Sequence, residues 1–330
     1  MELRKLGKSN VNVTPVAFGA WAIGGWMWGG ADRNSAIRAI RKSIELGITS
    51  IDTAPAYGFG LSEEITGEAI KGMRDKVQLL TKFGLRWDKT RGKYFMATKD
   101  NQGGDIDLYS YASADSVIEE CENCLRRLGT DHLDLFQLHW PDPTTPVEET
   151  MEALNKLIEQ GKILAGGVSN YDVPLMEAAG NVTVVASNQV PYSMLARDIE
   201  KEEVPYCIEN EVGIIAYSPL QRGLLTGKFS PDHKFKDGDA RAGLYWFTRE
   251  NIKRVNKFLD KLKPLAESKG ATLSQLVLRW TIQQPGITCA LAGARDPEQV
   301  ADNAGALSFS LTEEDLKFIH LELSELEKGG

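Results

Sequence analysis

The sequence predicts a (β/α)8 barrel preceded by a β-hairpin, and three observations lead there. Short apolar or β-branched runs alternate with helical signals eight times along the 330 residues, the rhythm of a parallel α/β fold. The turn after the first of these strands, Gly19-Ala-Trp-Ala-Ile-Gly-Gly-Trp-Met-Trp-Gly-Gly30, is aromatic and lacks Gly-Lys-Ser/Thr, so the phosphate loop of a doubly wound sheet is missing. Gly58-Phe-Gly60 opens a Gly-x-Gly but continues Leu-Ser-Glu63, and the dinucleotide fingerprint fails there too. Two connections, Phe83 to about Tyr111 and Leu220 to about Glu250, exceed plain βα links. In a barrel, such long loops on the carboxyl face build the site and its lid.

The elements follow in order. A hairpin spans Glu2–Val13 and turns at Gly7-Lys-Ser-Asn10. Barrel strands are expected near Val16–Phe18, Thr49–Ile51, Val77–Thr81, Leu133–Leu138, Leu164–Val168, Val182–Ser187, Gly213–Ala216 and Thr288–Leu291. Each is bounded by Gly, Pro or polar residues, as buried parallel strands are. The first helix (Arg33–Leu46) stops at Gly47, the third at Gly129 and the fourth at Gly161. Thr145-Pro-Val-Glu148 reads as a capping box with Pro at the first helical position, and Thr272-Leu-Ser-Gln275 as a second box opening Leu276-Val-Leu-Arg-Trp280. No linker, low-complexity run or domain-scale shift in composition breaks the chain, so residues 1–330 read as one barrel domain.

Composition narrows the function. Apolar content of 42% with 25% charged residues is that of a soluble globular protein. A net charge of −8 argues against nucleic acid or an anionic membrane as the main partner, while leaving room for a local basic pocket. No run reaches the ~18 apolar residues of a membrane span, and Met1-Glu-Leu-Arg-Lys5 has no signal-peptide apolar core, which makes a cytoplasmic protein the expectation. Four cysteines are too few for a disulfide framework at this length. Cys121-x-x-Cys124 lies in a helical-period stretch with no second CxxC or CxxH, so it is read as structural and no metal is expected.

The chemistry gathers at strand ends. Asp52 and Tyr57 follow the second strand in Asp52-Thr-Ala-Pro-Ala-Tyr57, Lys82 follows the third, and His139 follows the fourth. Each has a plainer alternative: a helix cap, a packing ring, a surface charge, a satisfied core imidazole. All four at the carboxyl ends of successive strands point to catalysis, because that is where barrels carry it. A phenol titrates near ~10, and a neighbouring ammonium is expected to lower that value. An aspartate holds the ammonium, and a neutral imidazole orients a carbonyl oxygen. The reaction served is protonation of an oxygen that gains charge as hydride reaches its carbon.

With these residues the chain resembles the aldo-keto reductases over nearly its whole length. Ile51-Asp-Thr-Ala-Pro-Ala-Tyr57, Thr81-Lys82, Leu133-Asp-Leu-Phe-Gln-Leu-His-Trp-Pro141, Gly167-Val-Ser-Asn170, Gly213-Ile-Ile-Ala-Tyr-Ser-Pro-Leu220 and Gly293-Ala-Arg295 match the family's motifs in order. Trp21-Ala-Ile-Gly-Gly25, Pro55-Ala-Tyr-Gly-Phe-Gly60 and His139-Trp-Pro-Asp-Pro143 bring it nearest the bacterial general-stress type.

The resemblance implies NADPH-dependent reduction of aldehydes or ketones, with the nicotinamide cofactor held in the barrel without a Rossmann fold. By family role, Tyr57 is the general acid, Lys82 and Asp52 tune it, and His139 orients the carbonyl. Trp21, Tyr57 and His139 would meet the substrate. Ser169, Asn170 and Gln189 would hold the carboxamide, and Tyr217 would stack on the nicotinamide. Ser218, Pro219, Leu220, Gly223 and Lys228 would wrap the pyrophosphate, and Arg295, Gln299 and Asn303 would bind the adenosine end. Gly19, Trp21 and Gly293 complete that set.

Apart from the resemblance, the helix starting near Asp296-Pro297 aims its amides and dipole at the site mouth, a place suited to phosphate. Arg295 there would grip a 2′-phosphate, favouring NADP over NAD. Gly293-Ala294 stand where many family members carry Lys-Ser, so some usual phosphate contacts are missing. Substrate selection falls to the loops after the first and third strands, through Trp21, Trp26, Trp28, Trp87 and Tyr94. Packing between loops accounts for Trp26 or Trp28 as well as ligand contact does, and Trp21 is the ring expected at the ligand.

Two other functions remain open on the sequence. Lys82 could be the nucleophile of a Schiff-base aldolase. The resemblance also takes in potassium-channel β subunits, nucleotide-binding modules on this barrel. A monomer with a small carbonyl substrate is the expectation.

Overall fold

The computed structural model describes residues 2–28, 31–235 and 239–328. Gly29 and Gly30 of the aromatic loop, residues 236–238 of the second long connection, and the terminal Met1, Gly329 and Gly330 lie outside them. The hairpin β1 (Arg4–Lys5) and β2 (Asn12–Val13) pairs antiparallel around Gly7, whose φ of +56° suits glycine. A side chain there would also meet the carbonyls of Ala186 and Glu211, both within 2.6 Å.

Eight parallel strands then close the barrel: β3 (Val16–Gly19), β4 (Ser50–Asp52), β5 (Gln78–Phe83), then, after the accessory strands described below, β9 (Leu133–Leu138), β10 (Ile163–Ser169), β11 (Val185–Pro191), β12 (Gly213–Tyr217) and β13 (Ile287–Gly293). Inward-facing Ala17, Leu80, Leu135, Ala165, Ala186 and Ile215 fill the barrel together with Leu6, Val11 and Val13 of the hairpin. The hairpin thus plugs one mouth and leaves chemistry to the other.

Helices α1 (Arg33–Glu45), α2 (Leu61–Ile70), α3 (Ala114–Leu128), α4 (Val147–Glu159), α5 (Val173–Gly180) and α6 (Glu203–Asn210) follow the first six barrel strands in turn. After β12 come α7 (Arg249–Ser268) and α8 (Leu273–Gln283), and after β13 come α9 (Pro297–Gly305) and α10 (Glu313–Lys328). Thr272 and Gln275 form the expected reciprocal capping box of α8.

Three expectations are corrected. At α4 there is no capping box: Pro146 is the N-cap itself, and the Thr145 hydroxyl donates to Asp142 Oδ2 at 2.7 Å instead. Asp142 also takes the Thr144 hydroxyl and the Ala112 amide, so the loop after β9 out-competes the helix for Thr145. The sixth barrel strand begins at Val185, not Val182. The amides of Val182 and Thr183 both bond back to Ala179 O, finishing α5, and Asn155 holds Val182 O.

The long connection after β5 is not a loop. It forms an accessory antiparallel sheet of β6 (Leu85–Arg86), β7 (Lys93–Lys99) and β8 (Asp105–Ser110), in the order β6-β8-β7. Arg86, 1% exposed, anchors it on α3 through Ser116 Oγ at 2.8 Å.

Candidate active site

Asp52 is the last residue of β4 and pairs in register with Leu80 of β5. Two residues on, Lys82 therefore points to the same side of the strand as Leu80, into the barrel. Its ammonium donates to Asp52 Oδ1 at 2.6 Å and to the Thr53 carbonyl at 2.9 Å. Asp52 Oδ2 accepts from Gln189 Nε2 at 2.8 Å, so the ion pair is tied across the barrel to β11.

Tyr57 sits on the turns leaving β4, where Gly58 and Phe59 take left-handed φ of +72° and +58°. His139 leaves β9 with its amide on Phe83 O. The two rings meet edge to face with centroids 5.7 Å apart, and Lys82 Nζ lies 4.8 Å from the Tyr57 ring centre. Trp21 stacks on Tyr57 at 5.9 Å. The four groups proposed from the sequence converge.

Their electrostatics differ in one respect from the sequence-based expectation. Burial pushes the Tyr57 phenol above its ordinary value, and the Lys82 charge pulls it back without reversing the shift. The ammonium is therefore a counterweight to burial. Lys82 itself is held above its ordinary value: burial lowers it, but the Asp52 and Tyr57 charges and their hydrogen bonds together outweigh that. Burial and the Lys82 charge both drive His139 well below the usual imidazole range, so it is neutral at physiological pH.

A cavity of about 670 Å³ opens over these groups. Gly19, Trp21, Asp52, Tyr57 and His139 line it, as do Ser169, Asn170, Gln189 and Tyr217. So do Ser218, Pro219, Leu220, Gly223, Lys228, Gly293, Arg295, Gln299 and Asn303. Lys82 alone of the proposed set does not; it is 0% exposed behind Asp52 and Tyr57. A Schiff-base nucleophile must reach its substrate, so the aldolase alternative does not fit this geometry.

The residues expected at the carboxamide are knitted to these four groups. Asn170 Nδ2 donates to the His139 carbonyl at 3.1 Å and to Ser169 Oγ at 3.0 Å, and Tyr217 Oη donates to Asn170 Oδ1 at 3.0 Å. The following turn is strained: Ser218, Gln221 and Arg222 all have left-handed φ of 47° to 56°, with Gly223 at 92°. Non-glycine residues hold such φ at a cost, typically where backbone must meet a ligand.

At the far end, Asp296 caps α9 on the Gln299 amide at 2.8 Å, while the Gln299 side chain bonds Asp296 Oδ2 and the Arg295 amide. Gln299 is thus engaged in the cap, and Asn303 donates to Gly293 O at 3.3 Å. Arg222, Lys228 and Arg295 have no carboxylate partner among the described residues. Three unneutralised cations on one cavity of a net-acidic chain fit a polyanionic cofactor.

Sequence reasoning missed the cations Arg222 and Arg241. Arg222 lies 5.5 Å from the Trp21 ring, and Arg241, paired with Asp239, lies 5.2 Å from Trp28. The basic, glycine-punctuated run Ser218–Lys228 contained the signal for the first; nothing local marks the second. The aromatic wall is corrected too. Trp26 and Trp28 join Trp21 in the cavity, but Trp87 does not line it, and Tyr94 is 52% exposed. Leu85, Phe95 and Met96 of the accessory sheet take their place, with Trp140.

Comparison with known proteins gives the family. A family model described as the aldo/keto reductase family matches residues 15–320. The aldo-keto reductase YhdN of Bacillus subtilis (strain 168) is 40% identical, the match covering 97% of this chain and 93% of that protein. The NADH-specific methylglyoxal reductase of Escherichia coli (strain K12) is 37% identical over 98% of each. Among solved structures, the glycerol dehydrogenase AKR11B4 from Gluconobacter oxydans superposes with a TM-score of 0.88 at 36% identity, over 98% of this chain and 95% of that one. An aldo/keto reductase from Klebsiella pneumoniae in complex with NADP and acetate gives 0.71 at 30% identity, over 97% and 95%. The chain belongs to the aldo/keto reductase family and is a nicotinamide-dependent oxidoreductase that reduces carbonyl groups.

Proposed function

We propose that the protein reduces aldehydes or ketones to alcohols with NADPH, and that Tyr57 gives the proton. The observation carrying this reading is the convergence of Tyr57, Lys82, Asp52 and His139 on one wall of the cavity. When bound, NADPH supplies the hydride. The Tyr57 hydroxyl protonates the carbonyl oxygen as charge develops there, and Lys82 stabilises the phenolate left behind. Asp52 keeps Lys82 charged, and Gln189 fixes Asp52. Neutral His139 donates to the same oxygen and orients it. Trp21 and Trp140 wall the site and exclude water.

Ser169, Asn170 and Gln189 are the residues to hold the carboxamide, Tyr217 the ring, the Ser218–Lys228 turn the pyrophosphate, and Arg295 the 2′-phosphate. NADP over NAD is supported by the unpaired Arg295 and by the NADP-bound Klebsiella neighbour, against the NADH-specific Escherichia relative. One barrel domain carries all four catalytic groups, which supports a monomer as the active unit. Four free, buried thiols suit a reducing, cytoplasmic setting, and no described helix is long and apolar enough to cross a membrane.

The test is turnover of an aldehyde and ketone panel followed by NADPH absorbance near ~340 nm. Tyr57→Phe should cut kcat by about 10²–10⁴-fold while NADPH affinity stays nearly intact. Unchanged turnover in that variant would remove Tyr57 as the acid.

A further inference from the structure

The accessory sheet does more than wall the cavity. At its tip, between β7 and β8, Asp100 Oδ1 accepts the amides of Gln102 at 2.9 Å and Gly104 at 2.7 Å. That closed turn presents the Asn101 side chain toward the barrel loops. Asn101 Nδ2 donates to the Gly24 carbonyl at 3.0 Å and to the Gly58 carbonyl at 3.3 Å. Gly24 belongs to the loop after β3, and Gly58 immediately follows Tyr57 in the loop after β4.

Those two loops touch backbone to backbone. A Cβ on Gly24 would stand 2.3 Å from Tyr57 O, and one on Gly58 would stand 1.9 Å from Gly24 O. Neither position tolerates a side chain, and Gly58 also needs its left-handed φ of +72°. Two carbonyls face a single amide, and a neutral carboxamide is the side chain that offers both donors without adding charge. The same sheet holds the β3 loop a second time, since Trp26 Nε1 donates to Thr98 Oγ1 at 3.0 Å. Trp21, earlier in that loop, stacks on the Tyr57 ring.

We infer that Asn101 is a positioning residue for the reaction: it clasps the Trp21 and Tyr57 loops together and so fixes the phenol against His139. The inference rests on Tyr57 being the acid. Asn101 touches neither the cavity nor the reacting groups, so its effect passes entirely through Tyr57. Small displacements of a catalytic group reduce turnover without weakening binding.

Asn101 lies at the exposed tip of the sheet, so its replacement leaves the core intact. Asn101→Ala should lower kcat about tenfold, with KM for the aldehyde and the NADPH dissociation constant changed less than about twofold. Asn101→Gln, which keeps both donors, should recover most of the loss, and Asn101→Asp, which keeps shape without them, should not. In a Tyr57→Phe background, adding Asn101→Ala should cost nothing further. Unchanged kcat in Asn101→Ala overturns the inference. Equal losses with and without the Tyr57 hydroxyl also overturn it, placing the effect elsewhere. Full turnover in Tyr57→Phe alone instead overturns the acid assignment, a result read before Asn101 is altered.

Discussion

Lys82 and Asp52 form an ion pair of 2.6 Å in which neither residue is more than 1% exposed. Removing two charges from water at that depth is costly, and the pair persists because Thr53 O and Gln189 satisfy what each leaves over. Breaking it strands one charge. Asp52→Ala should lower unfolding free energy by about 3–5 kcal/mol in guanidinium melts. Asp52→Leu combined with Lys82→Met should recover most of that while remaining inactive. A double variant no more stable than Asp52→Ala would show that the pair is not what the fold depends on there.

The phenol's environment sets a pH profile. Burial raises Tyr57 above its ordinary value near ~10, and Lys82 moderates the rise. With Tyr57 as the proposed acid, reduction needs its protonated form, so kcat/KM should be level through neutrality and fall only on the alkaline side of the ordinary phenol range. His139, neutral far below its usual value, should contribute no step near pH ~6.5. Lys82→Met removes the lowering charge, so the alkaline limb should move to higher pH as the rate falls. A limb that moves the other way contradicts the balance drawn here.

What could be read in advance follows the range of the interactions. The barrel was legible because each strand is a short apolar run with polar stops, and strand alternation alone carries Lys82 to the side of Leu80. Asp52, Tyr57 and His139 were legible because they stand at strand ends. The accessory sheet was not: Lys93–Lys99 is mostly exposed or half-buried, and its stability comes from pairing with Asp105–Ser110 and from Arg86 on α3. Thr145 has the spacing of a cap, yet Asp142, three residues earlier, captures its hydroxyl. The direction of the Tyr57 shift depends on depth of burial, a quantity no local motif encodes.

Arg295 offers a test of cofactor choice. It lines the cavity beside the capped start of α9 with no carboxylate partner among the described residues, so no described carboxylate competes with a phosphate. A charge-assisted hydrogen bond contributes about 1.5–3 kcal/mol, which is roughly 10–100-fold in binding. Arg295→Gln should weaken NADPH by that factor in fluorescence titration and leave NADH nearly unchanged. Equal weakening of both would move the 2′-phosphate contact away from Arg295.

Glu120 on α3 gives the last prediction, in stability. Its carboxylate is 4% exposed beneath the accessory sheet, accepting from the Gly84 amide at 3.0 Å and lying 3.6 Å from Arg86. Burial raises its pKa to about 7, with Arg86 opposing. An unfolded glutamate titrates near 4.5. Between those values the native protein binds the proton that the unfolded chain has released, so stability falls as pH rises from about 4.5 to about 7. Glu120→Gln keeps an acceptor for Gly84 and removes the titration. The variant's Tm should therefore gain on the wild type steadily across that window and hold its lead above it. Calorimetric scans at pH 5 and pH 8 decide the matter, because parallel curves for the two proteins would mean that Glu120 ionises as freely in the fold as outside it.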